Sequence, residues 1–131
     1  MHGSTFGGNP LATHVGLAVL TALADDGIIN TVFDKGEQFM AMLQEQLADL
    51  PEVIAIRGKG LIIGVELNRP CRDLMSVALR QGLLINVTAD NVIRLLPPLI
   101  VSDIEASLMV SRLSVSLRTW LAETAAQATT Q

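Results

Sequence analysis

The chain has 131 residues, a length that fits one domain, with 50% hydrophobic and 17% charged residues and a formal charge of −4. The negative balance and the lack of a basic run argue against nucleic acid as a partner. Apolar stretches are broken by His14, Asp25 or Arg57 before any reaches the length of a bilayer span, so no membrane partner is expected. Cys71 is the single cysteine and rules out an intrachain disulfide. The N-terminus has neither the basic nor the apolar region of a signal peptide, and a cytoplasmic setting is expected.

The first ten residues, Met1 to Pro10, place Gly3, Gly7 and Gly8 beside the hydroxyls of Ser4 and Thr5. Glycines allow close backbone approach to a ligand, Asn9 is a good helix N-cap, and Pro10 suits the first helical position. The segment reads as an anion-binding loop feeding the positive end of a helix dipole. Taken alone, such a glycine loop is more often an ordinary Ser/Thr-rich turn. A first helix follows from Pro10 to Ala24, apolar on more than half its surface and stopped at Asp25-Asp26-Gly27. A second is expected from about Ile29 to Leu50, with Val32, Phe33, Phe39, Met40, Leu43 and Leu47 inward and Pro51 ending it.

Val53–Ile56 and Leu61–Leu67 are strand-like and are joined by a glycine turn over Arg57-Gly58-Lys59-Gly60. A short helix from about Arg72 to Gln81 closes at Gly82. Leu83–Thr88 and Val92–Leu96 are two further strands around Ala89-Asp90-Asn91, and Pro97-Pro98 ends the second. Ser102-Asp103-Ile104-Glu105 is a capping box that opens a last helix to about Leu121, with Ile104, Leu108, Leu113, Val115 and Leu117 apolar. Glu123 to Gln131 has no pattern and is expected to fray. The order predicts an α+β domain, an antiparallel sheet covered on one face by helices. Its divisions are a loop and junction helix over residues 1–26, a small domain over 27–122 and a tail over 123–131.

Three motifs carry a resemblance: HGSTFGGNPLA at residues 2–12, Ile56-Arg57-Gly58-Lys59-Gly60-Leu61 with the strand that follows it, and Val92-Ile93-Arg94-Leu95-Leu96-Pro97-Pro98-Leu99. Together they resemble the class III, ornithine-type aminotransferases of the fold-type I pyridoxal phosphate group. Arg69-Pro70-Cys71 and Gly82–Thr88 look most like the bacterial acetylornithine enzymes. The resemblance implies that the chain corresponds to the C-terminal portion and small domain of such an enzyme. Its cofactor would be pyridoxal 5'-phosphate, its partners a small amino acid and a 2-oxo acid, and its assembly a homodimer or a union with a missing large domain. Thr5 would contact the cofactor phosphate of the neighbouring subunit, and Ser4 would lie beside the acyl-ornithine substrate. Arg94 would receive the α-carboxylate of glutamate or 2-oxoglutarate. The lysine that bonds the cofactor lies earlier in these enzymes, and neither Lys35 nor Lys59 stands in its context. A fragment inactive alone is therefore expected, and the alternatives are a non-catalytic amino-acid-binding module or a dimerisation segment.

The residues themselves bear on these roles. Arg94 is a charge inside an apolar strand, so it either is buried with a carboxylate partner or faces outward on an edge strand. A planar guanidinium grips both oxygens of a carboxylate. Arg57 and Lys59 are expected in solvent, and Glu66 to pair with a strand neighbour. His2 reads as a loop residue, His14 as packing, and Cys71 as a packing residue at a helix start. None has metal-ligand spacing.

Overall fold

A computed structural model of the chain describes residues 3, 5, 7–25 and 27–130. The elements in chain order are α1 (Pro10–Asp25), α2 (Ile28–Gln46), β1 (Val53–Lys59), β2 (Ile62–Leu67), α3 (Leu74–Arg80), β3 (Asn86–Thr88), β4 (Val92–Leu95) and α4 (Asp103–Thr129).

Asn9 caps α1 through its side-chain oxygen, which accepts the Ala12 amide at 2.8 Å, and Pro10 takes the first helical position. No α1 residue is buried, and the helix packs against α2. Helix α2 follows Gly27, whose φ of 67° is left-handed, and ends at Gln46, one turn before the expected stop at Leu50. Pro51 disfavours helical geometry at Leu50, and the residues between form turns in which the Leu50 amide bonds the Leu47 carbonyl. Arg118 of α4 takes the freed Gln46 carbonyl at 3.0 Å. Phe39, Leu43 and Leu47 are buried as expected, whereas Phe33 is 59% exposed.

All strands pair antiparallel in the order β1-β2-β4-β3. Strand β1 runs through Arg57, Gly58 and Lys59, so the turn shortens to Gly60-Leu61, with Lys59 opposite Ile62. Gly60 takes φ 57° there, and Gly36 of α2 lies so close that a Cβ built on it would stand 2.1 Å from the Gly60 carbonyl oxygen. Helix α3 closes in a Schellman motif: the Gly82 amide bonds the Leu79 carbonyl and the Leu83 amide bonds the Ala78 carbonyl, with φ 71° at Gly82. The β3–β4 turn holds Ala89 and Asp90 at φ 50° and 65°. That turn is fastened by the Cys71 amide on the Asp90 carbonyl at 2.8 Å and by the Asn91 side chain on the Leu67 carbonyl.

Alternation along the strands puts Ile63, Val65, Leu67, Val87, Ile93 and Leu95 on one face, where they are buried. They share a core with Phe39 and Leu43 of α2, Leu74 and Ala78 of α3, and Leu113, Leu117 and Trp120 of α4. The expected α+β architecture, a sheet with helices on one face, is the one observed.

The last helix differs from the expectation. Ser102 caps it by accepting the Glu105 amide at 3.1 Å, but it continues to Thr129, through the segment expected to fray. Its buried side is Ala106, Val110, Leu113, Ser114, Ser116, Leu117 and Trp120, while Ile104, Leu108 and Val115 are exposed. Among the described residues no single helix is long and apolar enough to cross a membrane. Helices α1 and α2 reach that hydropathy only together, bent by 67°, and α2 buries Phe39 and Leu43 in the protein core.

Candidate functional site

The sheet's second face carries no helix-packed core. It presents Arg57 from β1, Ile62, Gly64 and Glu66 from β2, and Val92 and Arg94 from β4. Arg94 stands opposite Gly64 on one side and Asn86 on the other. Neighbours of Arg94 along β4, Ile93 and Leu95, are buried, and Arg94 itself is exposed. The expectation of a buried guanidinium with a carboxylate partner is therefore corrected. Arg94 also does not lie on an edge strand, because β4 is flanked by β2 and β3. It makes no hydrogen bond or ion pair with any described residue.

Around Arg94 lies an open cavity of about 550 Å³, whose lining includes Arg57, Lys59, Gly64, Thr88 and Val92. Arg57 pairs with Glu66, which fulfils the expected strand pairing and removes one positive charge from the cavity wall. Arg94 and Lys59 line it too, with no acidic partner among the described residues. The arrangement suits a small carboxylate: a free planar fork on an inner strand, a glycine beside it, and no acidic group paired to it.

At the other end of the chain, Thr5 is exposed and precedes the turn at Gly7 and Gly8, where Gly8 takes φ 77°. Helix α1 carries no acidic residue in its first turn, so its positive end is left uncompensated. These features fit a phosphate contact. Ser4 and His2 lie outside the described residues. Among the described residues, none of those lining the Arg94 cavity comes from this loop or from α1, and Thr5 is not among them.

Lys35 Nζ donates to the Val101 carbonyl at 2.7 Å and ties α2 to the segment before α4, while Lys59 closes the β1–β2 hairpin. Cys71 is fully buried, and burial pushes its thiol up to about 11, which makes it a packing residue and a poor nucleophile. His14 is exposed, against the expectation of packing. No group of three or more metal-ligating side chains occurs among the described residues.

Two features were not singled out from sequence. Gly64 carries no motif signal of its own, although the alternation of β2 places it outward with Glu66. Arg118 forms a two-pronged pair with Asp49 at 2.7 and 2.8 Å, joining α4 to the end of α2.

The bare sheet face thus presents an arginine that has no partner among the described residues. The chain belongs to the aminotransferase class-III family, whose model matches residues 1–117. Among curated relatives, acetylornithine aminotransferase 1 of Bordetella pertussis is 47% identical over 122 residues, covering 93% of this chain and 31% of the relative. The ornithine aminotransferase of Bacillus cereus is 44% identical over 102 residues, covering 78% of this chain and 25% of the relative. Among solved structures, the ornithine aminotransferase of Toxoplasma gondii superposes with a TM-score of 0.82 at 34% identity, over 93% of this chain and 30% of that one. The acetylornithine aminotransferase of Elizabethkingia anophelis does so at 0.80 and 30% identity, over 88% and 32%. The chain thus spans about a third of the length of these relatives.

Proposed function

We propose that this chain is the C-terminal portion of an acetylornithine-type aminotransferase, supplying the substrate-carboxylate arginine and a phosphate-contacting hydroxyl to a site completed by a lysine-bearing portion. The reaction is amino transfer from N-acetylornithine to 2-oxoglutarate, a step of arginine biosynthesis. The observation that carries this reading is Arg94: it has no partner among the described residues, it lines an open cavity from an inner strand, and it belongs to a chain 47% identical to an acetylornithine aminotransferase.

In this reading Thr5, with the backbone amides of the glycine loop, would hold the phosphate of pyridoxal 5'-phosphate in the neighbouring subunit of a cytoplasmic homodimer, and Ser4 would lie beside the acyl-ornithine substrate. The bound cofactor serves as the electron sink for the amino transfer. Arg94 receives the α-carboxylate of glutamate or 2-oxoglutarate through two parallel hydrogen bonds, which orients the amino or oxo carbon. Neither of this chain's lysines supplies the covalent amine, so the chain alone is expected to be inactive. A helix terminus contributes about 0.3–2 kcal/mol to a bound anion and a charged hydrogen bond about 1.5–3, whereas millimolar affinity needs about 4. The half-site by itself therefore reaches weak binding only.

The test joins this chain, in place of the matching stretch, to the remainder of the Bordetella pertussis enzyme. The fusion is expected to transaminate N-acetylornithine in preference to ornithine and 4-aminobutyrate, and the isolated chain to show no turnover. Turnover by the isolated chain, or a folded fusion that prefers another donor, contradicts the reading.

A further inference from the structure

Arg57, Gly64 and Arg94 lie in register across three neighbouring strands, and both arginines line the same cavity. The outer two strands are separated by two strand spacings, about 9–10 Å, a gap that two long guanidinium arms flank and a glycine leaves open. Packing does not demand glycine at position 64. Its φ is outside the left-handed region, and a Cβ built there meets Val92 Cγ1 at 3.4 Å, an ordinary contact. Gly36 is the contrast, since a Cβ there would collide with backbone. A glycine inside a strand weakens it, and a recognised reason to keep one is close approach of a ligand. Across this bare spot from Arg94, Arg57 is occupied by Glu66, which lies two residues along β2 from Gly64 on the same face.

We propose that Gly64 is the floor of a carboxylate slot with Arg94 as one wall and the Arg57–Glu66 pair as the other, Glu66 holding Arg57 so that a single guanidinium faces the ligand. The slot then accepts one planar carboxylate and disfavours tetrahedral dianions, which two free guanidinium groups would grip. Gly64 and Glu66 are positioning residues that set this preference. The inference rests on the reading of Arg94 as the carboxylate-binding group.

The test follows the arginine side-chain N–H resonances of the full chain by NMR during titration with sodium 2-oxoglutarate and, separately, with inorganic sulfate at constant ionic strength. In the unaltered chain the Arg94 signal is expected to move with 2-oxoglutarate and the Arg57 signal to stay. Gly64→Ala is expected to keep or raise the melting temperature and to weaken 2-oxoglutarate binding at least about 3-fold. Glu66→Gln is expected to make the Arg57 signal respond and to tighten sulfate binding about 3- to 5-fold. Glu66→Asp, whose shorter arm holds Arg57 less well, repeats that test should the glutamine variant fail to fold. If Arg94 responds but Gly64→Ala binds as before, or Arg57 stays silent in both Glu66 variants, the slot is wrong and the reading of Arg94 stands. If Arg94 does not respond up to about 100 mM 2-oxoglutarate, well above the millimolar range, that reading fails and the slot falls with it.

Discussion

At the scale of single residues, the two arginines that matter differ in what surrounds them. Arg94 lines an open cavity with no partner among the described residues, while Arg118 is tied to Asp49, the Gln46 carbonyl and Ser114. The Arg118 guanidinium holds the Asp49 carboxyl below its ordinary value of 3.8. A carboxyl whose folded value is depressed contributes stability that is full above the ordinary value and lost as pH falls through the lowered one. Asp49→Asn is therefore expected to lower the melting temperature at neutral pH, with the difference from the unaltered chain closing only below pH 3.8. Thermal unfolding across an acid series checks this, and a difference independent of pH would refute it. Gly36→Ala tests the close approach of α2 to the hairpin: a methyl group there has backbone, not a flexible side chain, in its way. A loss of about 1–3 kcal/mol is expected by urea unfolding, despite alanine's better helix propensity.

At the scale of elements, sequence patterns placed most helices and strands within a few residues, because apolar spacing and turn residues act locally. The Gly82 cap and the Ser102 capping box are legible for that reason, and both form. Ser102→Ala is expected to cost about 1 kcal/mol in chemical denaturation, since it strips a side-chain acceptor from the first turn of α4. Less legible were the features that depend on distant partners. Helix α2 stops early where Arg118, far along the chain, takes its last carbonyl. Helix α4 runs to Thr129, and Arg80 of α3 pairs with Glu123 in the segment that lacked a periodic signal. The exposure of Arg94 was likewise hidden, because an arginine between apolar residues reads the same whether a sheet face is covered or bare. Alternation alone could not say which strands flank β4 or that the second face lacks helices.

At the scale of the whole molecule, one face of the sheet is sealed by helices and the other presents a cationic cavity. Helix α1 meanwhile exposes Leu11, Val15, Leu17, Val19 and Leu20. The family follows from the match over residues 1–117, and the chain spans about a third of its relatives' length. The glycine-loop and arginine motifs were readable as a family likeness. Which described residues share a cavity with Arg94 required coordinates, because nothing in the motif spacing shows that Arg57, Gly64 and Thr88 line it. The central claim is that Arg94 grips the α-carboxylate of the amino acceptor. Steady-state kinetics of Arg94→Ala in the fusion with the remainder of the Bordetella pertussis enzyme give the sharpest test. Loss of two charged hydrogen bonds, each worth about 1.5–3 kcal/mol, predicts a fall of about 100-fold or more in kcat/KM for 2-oxoglutarate, whereas an unchanged kcat/KM in a folded variant would contradict the claim.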